Sequence, residues 1–164
     1  MRTRLIIAAL TGLVLVSLLM GGCAKKIVKQ PDAPLVPGYG VGGQVSEADM
    51  QGVQSTLRVV YFDFDKYGLS QEAQAALQYN AEILKKYPNV SVIAEGHCDE
   101  RGTAEYNLAL GERRAGSAAE YLSTVGIAPN RISTVSFGSE LPVDPAHNEE
   151  AWAKNRRVYL RAGK

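Results

Sequence analysis

An apolar, strand-like run that enters a short charged turn and then a helix constrains this chain more than any other feature. Residues 90–94 (VSVIA) form the apolar run, and residues 95–102 (EGHCDERG) form a turn rich in charge and glycine. Thr103 is a good N-cap for the helix that follows, and Glu105 lies in its first turn. Turns between strands and helix N-termini are where α/β sheets usually hold ligands. The sequence therefore places its first candidate binding site in residues 95–102.

Charged side chains of both signs lie in this turn and on the helix after it. Asn107, Leu110 and Arg114 are spaced by three and four residues, so they share one helix face. A carboxylate at Asp99 and a guanidinium at Arg114 can together hold a ligand that carries one ammonium and one carboxylate. The simpler alternative is that Asp99 and Arg114 pair with each other on the surface, where an ion pair contributes little.

Strand and helix patterns alternate from residue 56 onward, which defines a predicted domain over residues 56–164. Helices are predicted after the N-cap Ser70, over 104–124 and over about 149–153, and strands at 57–62, 90–95, 132–137 and 157–161. This β-α-β-α-β-β order predicts an α/β sandwich (α+β) in which two main helices pack on one mixed sheet.

The long helix over 104–124 has a predicted buried stripe and a predicted end. Gly126 suits the C′ position that follows a helix. The stripe places Arg114 at the rim of the buried face rather than inside it. Its members are Leu108, Ala115, Ala119 and Leu122.

The first 22 residues resemble a lipoprotein signal peptide. Two arginines precede the uncharged apolar run 5–20, and two glycines then precede Cys23. This resembles a lipobox, in which cleavage precedes the cysteine and its thiol receives a diacylglycerol, although Met20 stands where leucine is preferred. The alternatives are an ordinary signal peptide with cleavage nearby or a short anchor helix. Ala24 stands where an aspartate would resemble an inner-membrane retention signal.

Residues 23–55 are predicted to be the lipidated cysteine and a tether, with a short helix possible over 46–55. Three prolines and four glycines fall between residues 31 and 43 and interrupt regular structure.

The chain carries 18 basic and 17 acidic residues, and without Arg2 and Arg4 of the leader the balance is 16 to 17. This near-neutral charge gives no support for nucleic-acid binding.

Two segments of the chain carry a resemblance to a known family. Residues 96–103 (GHCDERGT) and 107–115 (NLALGERRA) are similar to the peptidoglycan-associated lipoproteins, a branch of the outer-membrane-protein-A-like peptidoglycan-binding domains. Three further blocks agree in the same order, at residues 61–66 (YFDFDK), 135–138 (VSFG) and 154–157 (KNRR). The resemblance covers about residues 57–161 and implies the same α/β fold.

The resemblance also implies which residues bind the ligand. In the family, an aspartate of this turn and an arginine on the next helix hold the diaminopimelate of peptidoglycan stem peptides, and Asp99 and Arg114 match them. The far end of meso-diaminopimelate bears an ammonium and a carboxylate on one carbon, and an arginine offers the carboxylate a bidentate fork. Further ligand contacts are expected from Asn107, Asp65, Phe64, Arg101 and Arg157.

All of these further residues except Phe64 also have a structural interpretation. Asn107 is alternatively a solvated helix residue, and Asp65 a local cap of its loop. For Arg101, a salt bridge with Glu105 is favoured over a ligand contact. Arg157 is taken as the arginine that lines the pocket, with Arg156 as the alternative and a structural role open for both.

The implied function is non-catalytic. The resemblance predicts an outer-membrane lipoprotein, anchored through Cys23, whose globular part lies in the periplasm and binds peptidoglycan non-covalently. The implied protein partner is the periplasmic Tol system, with a role in envelope integrity and in outer-membrane constriction during cell division. No cofactor and no metal are expected, because His147 is the only histidine besides His97 and does not lie at ligand spacing.

A cell-wall hydrolase that uses the Cys98 thiol and the His97 base is the competing function. Adjacent residues on a strand point to opposite faces, so His97 would not easily reach Cys98. Cys98 is expected to pack as a small hydrophobe. A lipidated Cys23 could not form a disulfide with it.

Overall fold

The computed structural model describes residues 46–163, so the predicted leader, Cys23 and the first part of the predicted tether lie outside the described residues. The described chain forms four helices and four strands. A single 3-10 turn, Pro129–Arg131, precedes β3. In chain order the elements are α1 (Glu47–Thr56), β1 (Val60–Tyr61), α2 (Gln71–Lys86), β2 (Ser91–His97), α3 (Ala104–Thr124), β3 (Ile132–Gly138), α4 (Glu149–Asn155) and β4 (Arg157–Gly163).

The four strands form one mixed sheet with the order β1-β4-β2-β3. β2 is parallel to β3 and antiparallel to β4, and β4 is antiparallel to β1. The two long helices α2 and α3 bury their apolar faces with the sheet in one core. The predicted fold class is therefore confirmed. No helix within residues 46–163 is both long and apolar enough to cross a membrane.

Local signals account for the helix ends. Ser70 caps α2 by accepting from the Ala73 N–H, and Thr103 caps α3 by accepting from the Tyr106 N–H. α3 begins and ends at the predicted residues, and Gly126 beyond it has a φ of +100°, a conformation that glycine adopts without steric cost.

Ala115 and Leu122 of α3 are buried as predicted, but the buried face differs from the prediction at Leu108 and Arg114. Leu108 is 39% exposed, whereas Leu110 is 4% exposed and Arg114 is 0% exposed. The close approach of α3 to the sheet decides this, because a Cβ added to Gly96 of β2 would lie 1.9 Å from the Gly111 carbonyl oxygen. That contact turns the face with Asn107, Leu110, Gly111 and Arg114 towards the sheet, so the expected rim position of Arg114 is wrong.

The packed region begins before the expected boundary at residue 56. Val53 of α1 is buried in the core. The Gln54 side chain donates to the Leu160 carbonyl at 3.1 Å and accepts from the Ala162 N–H at 2.7 Å, as a paired strand residue would. This occupied edge of β4 explains why β1 begins at Val60 instead of at residue 57, because Leu160 and Ala162 lie opposite the residues that precede Val60.

Candidate ligand-binding site

A cavity of about 220 Å³ lies where the loops after β1 and β2 meet the first half of α3. Six of the seven predicted ligand residues line it, and Arg157 does not. The lining residues are Phe64, Asp65, Cys98, Asp99, Arg101, Gly102, Tyr106, Asn107, Leu110, Arg114 and Arg156.

Arg114 lies at the buried end of this cavity and binds the backbone of two loops. Its Nε donates to the Lys66 carbonyl at 2.8 Å, and Nη2 donates to the Asp63 carbonyl at 3.0 Å. Its Nη1 donates to the His97 carbonyl at 2.9 Å and contacts the Cys98 sulfur at 3.4 Å. Burial lowers the pKa of Arg114, although an arginine keeps its charge. Among the ion pairs of residues 46–163, Arg114 has no carboxylate partner.

Asp99 is also buried and does not pair with Arg114. Its carboxylate accepts from Nη2 of Arg101 at 2.7 Å and from Nη1 of Arg156 at 3.2 Å. Burial raises the pKa of Asp99, but the hydrogen bonds from these arginines outweigh it and hold the pKa below its ordinary value. The alternative of a surface pair between Asp99 and Arg114 is therefore wrong, since neither residue is exposed and each has other partners.

Arg101 and Arg156 belong to a closed ring of charges with Asp99 and Glu149. Glu149 Oε1 lies 2.8 Å from Nη2 of Arg156, and Glu149 Oε2 lies 3.6 Å from Nη1 of Arg101. The Arg101 guanidinium also lies over the rings of Phe64 and Trp152, at 4.0 and 4.2 Å from their centroids. Arg101 thus pairs with Asp99 and Glu149, and the favoured salt bridge with Glu105 is not formed.

Of the two adjacent arginines, Arg156 lines the cavity and Arg157 does not. Arg156 precedes β4 and donates through Nε to the Phe62 carbonyl at 3.1 Å. Arg157 is the first residue of β4, and it contacts the Asn155 and Leu141 carbonyls at 3.4 and 3.3 Å.

Asn107 is a positioning residue rather than a solvated one. It is buried, and its Nδ2 donates to the carbonyls of Asp99 and Arg101 at 3.3 and 3.2 Å. These bonds fix the turn that carries Asp99 against the start of α3. The interpretation of Asn107 as a solvated helix residue is therefore wrong.

Asp65 is the exposed carboxylate of the cavity. It has a φ of +56°, a left-handed conformation that aspartate and asparagine tolerate better than most residues. Its Oδ1 accepts from the Tyr106 hydroxyl at 2.5 Å. Among the described ion pairs, Asp65 has no cationic partner, which leaves its charge available.

The sequence did not indicate that side chains of α4 contribute to the candidate site. Glu149 joins the ring of charges, and the Trp152 Nε1 donates to Glu100 Oε1 at 2.8 Å. His147 Nδ1 contacts the same carboxylate at 2.7 Å. Asn148 and Glu149 form a recognisable helix start, so the short helix itself was predictable. Its position against the turn after β2 depends on contacts about fifty residues apart, which no local pattern shows.

The thiol of Cys98 and the ring of His97 do not form a catalytic pair. Neither ring nitrogen of His97 has a hydrogen-bond partner, and the ring stacks on Phe137 with centroids 5.4 Å apart. Burial raises the pKa of Cys98, whose sulfur contacts the Asn107 carbonyl at 3.3 Å. Within residues 46–163, no group of three metal-ligating side chains is assembled.

A larger cavity of about 650 Å³ lies between β1, the start of α2 and α4. None of the predicted ligand residues lines it. Its charged side chains include Asp63 and Lys66, which pair with each other at 3.0 Å and are both largely exposed. We therefore place the candidate site in the smaller cavity, where buried charges of both signs converge.

The buried imidazole of His97 makes stability depend on pH. Burial lowers the pKa of His97 to about 4, and the Arg157 charge contributes. The unfolded histidine titrates near 6.5, so between those values the unfolded state alone binds the proton and stability falls as pH falls. We expect a loss of about 2 kcal/mol between pH 7.5 and pH 5 from this residue.

Urea unfolding at these two pH values measures the effect. His97→Phe keeps an aromatic ring against Phe137 and should lose this part of the pH dependence. His147→Phe removes an exposed histidine and should retain it. An unchanged pH dependence in His97→Phe would contradict the assignment.

Comparison with known proteins agrees with this architecture. A family model described as the OmpA family matches residues 61–156. A peptidoglycan-associated lipoprotein of Rhizobium meliloti is 39% identical over 142 residues, which is 87% of this chain and 80% of that protein. The corresponding protein of Pseudomonas aeruginosa is 42% identical over 127 residues, covering 76% of this chain and 74% of that protein.

A solved structure gives the same result. The crystal structure of the peptidoglycan-associated lipoprotein from Burkholderia pseudomallei is similar with a TM-score of 0.62 and 45% identity, covering 65% of this chain and 90% of that chain. The matched family model spans β2, β3, the turn after β2 and the arginine before β4. The chain therefore belongs to the OmpA family and, within it, to the peptidoglycan-associated lipoproteins.

Proposed function

We propose that this chain binds peptidoglycan non-covalently and that the 220 Å³ cavity holds the diaminopimelate of the stem peptide. The observation that carries the proposal is the buried guanidinium of Arg114, which has no carboxylate partner among the described ion pairs and opens onto a cavity. A buried charge without a counter-ion is costly, so a ligand carboxylate at this position gains strongly.

The contacts of Arg114 refine the expected recognition. Four of its five N–H groups already bind the three carbonyls and the Cys98 sulfur. Arg114 therefore offers a ligand carboxylate its charge and one remaining N–H, and not the free bidentate fork that the sequence predicted.

Two carboxylates, Asp65 and Asp99, line the cavity in which a ligand ammonium would bind. Asp99 is buried and bound by two arginines, whereas Asp65 is exposed and bound only by the Tyr106 hydroxyl among the described hydrogen bonds. The ligand end that fits this arrangement bears an ammonium and a carboxylate on one carbon, as meso-diaminopimelate does. Phe64 and Tyr106 flank the opening with aromatic surface.

The wider function follows from the relatives. Their names describe peptidoglycan-associated lipoproteins, and we extend that description to this chain. In this proposal residues 1–22 are removed, Cys23 is lipidated in the outer membrane, and the segment before α1 spans the distance to the cell wall. The periplasmic Tol system is the proposed protein partner, with roles in envelope integrity and constriction during division. The function is binding, without catalysis.

Asp65→Asn tests the proposal without disturbing the fold. Asparagine keeps the shape of the side chain and tolerates the positive φ, so only the charge is removed. We expect binding to purified sacculi to weaken about tenfold, which corresponds to about 1.4 kcal/mol. Co-sedimentation with sacculi measures the effect.

Asp63→Asn is the matched control. Asp63 lies on the same loop and is exposed, but it lines the other cavity and pairs with Lys66. This variant should bind sacculi as the wild type does. Equal binding of all three proteins, or equal losses in both variants, would contradict the placement of the site.

A further inference from the structure

The carboxylate of Asp99 has no vacant acceptor position. Its Oδ1 accepts from the backbone N–H and from Nε of Arg101, at 3.1 and 3.2 Å. Its Oδ2 accepts from Nη2 of Arg101 at 2.7 Å and from Nη1 of Arg156 at 3.2 Å. An ionised carboxylate offers about four lone-pair positions. A ligand ammonium can therefore reach Asp99 only by replacing part of one arginine's contact.

Arg101 is the arginine that can be replaced. The Arg156 guanidinium is buried, and the Phe62 carbonyl and Glu149 hold it besides Asp99. The Arg101 side chain is 30% exposed, and its other contacts are two aromatic ring faces and a 3.6 Å ion pair. Ring faces restrain the direction of a guanidinium less than hydrogen bonds do, so Arg101 can turn while it stays stacked.

The charges of the cavity decide which ligands can make this exchange. Its lining contains two carboxylates, Asp65 and Asp99, and three guanidiniums. A ligand end with an ammonium alone would add a further positive charge. It would also take the Asp99 carboxylate from Arg101 and leave the Arg101 guanidinium without a new anionic partner in its place. A ligand end with an ammonium and a carboxylate supplies a partner to Asp99, and the carboxylate that Arg114 attracts also brings a negative charge into the cavity lined by Arg101.

We propose that Arg101 is a resident counter-ion of Asp99 that zwitterionic ligand ends displace and purely cationic ends do not. Arg101 is then a specificity-determining residue, because its exchange penalises the ligand that brings only one charge. This inference rests on the proposed function, since it takes the 220 Å³ cavity to be the diaminopimelate site.

Calorimetric titration with two soluble stem tetrapeptides, one containing meso-diaminopimelate and one containing lysine, tests the inference on the intact protein. The wild type should prefer the diaminopimelate peptide. In Arg101→Gln the preference should shrink at least about tenfold, chiefly because the lysine peptide binds more tightly once Asp99 is accessible. Arg113→Gln is the control, because Arg113 is an exposed arginine of α3 outside the cavity lining, 5.6 Å from the Tyr67 ring. It should keep the wild-type preference.

Trp152 gives a second measurement that does not depend on affinity. It is the only tryptophan in the sequence, and its ring lies 4.2 Å from the Arg101 guanidinium. Saturating diaminopimelate peptide should change the tryptophan fluorescence of the wild type and of Arg113→Gln, and change that of Arg101→Gln much less.

The outcomes separate this inference from the proposed function. If the wild type binds the diaminopimelate peptide selectively but Arg101→Gln keeps the same preference, or loses both peptides equally, then Arg101 is an ordinary contact and the inference is overturned. If the wild type binds neither peptide, the proposed function fails and this inference fails with it.

Discussion

Arg114→Ala is expected to abolish binding to sacculi and to lower the free energy of unfolding by about 3–5 kcal/mol. The side chain is 0% exposed, and it joins the loop after β1 to the end of β2 through the carbonyls of Asp63, Lys66 and His97. Its removal leaves three carbonyls without their donor and a cavity in place of a large side chain. Urea unfolding gives the stability, and co-sedimentation below the unfolding transition gives the binding.

Arg131→Ala is the control that separates the loss of stability from the loss of binding. Arg131 also donates to three backbone carbonyls, those of Leu84, Tyr87 and Val90, but it does so beyond the opposite end of β2 and outside the cavity. This variant should lose stability to a similar extent and still bind sacculi while it is folded. If Arg114→Ala kept its binding, or if both variants lost binding alike, Arg114 would be a structural residue only.

The helices and strands of this fold were accessible in the sequence because their signals are local. The N-caps Ser70 and Thr103 and the glycine at position 126 act within one turn of the helices they limit. The β-branched and aromatic residues of the run 132–137 likewise indicate a strand without reference to its neighbours. The order of these elements was then sufficient to predict two helices packed on one mixed sheet.

The burial of the site was not accessible, because it depends on contacts between distant residues. Arg114 binds carbonyls 48 and 51 residues away, and Asp99 pairs with an arginine 57 residues away. Helix periodicity gave the correct common face for Asn107, Leu110 and Arg114 but placed Arg114 at the rim of the buried face rather than inside it. Hydrophobicity favoured Leu108 as the buried residue, whereas the contact between two glycines decided the rotation of α3.

The same limit applies to the edge of the sheet. A β-like run at residues 57–62 predicted a strand of six residues, and the pattern was reasonable in isolation. The side chain of Gln54 occupies the edge of β4 on the N-terminal side of Val60 and takes the hydrogen bonds that a longer strand would make there. No periodic pattern in the sequence indicates that a single amide side chain will pair with a strand edge in place of another strand.

Gly96→Ala is expected to lower the free energy of unfolding by more than about 3 kcal/mol, because the added methyl cannot be accommodated. Its Cβ would lie 1.9 Å from the carbonyl oxygen and 2.6 Å from the carbonyl carbon of Gly111. Both are backbone atoms of α3, so the whole helix must move away from β2. Asn107 and Arg114 lie on that helix and reach across the same junction, so binding to sacculi should also be lost.

Gly111→Ala and Gly116→Ala, both on α3, should show progressively smaller losses of stability than Gly96→Ala. A Cβ at Gly111 would lie 2.3 Å from the Ser136 hydroxyl oxygen, part of a side chain that can rotate, so a smaller loss is expected. A Cβ at Gly116 would meet nothing within 4 Å, and alanine there should be neutral or stabilise the protein by up to about 1 kcal/mol. Urea unfolding should therefore give the lowest free energy of unfolding for Gly96→Ala, a higher value for Gly111→Ala and the highest for Gly116→Ala. Wild-type stability and binding in Gly96→Ala would show that α3 does not need this close approach. The contact between Gly96 and Gly111 would then not be what holds Arg114 at the buried end of the cavity.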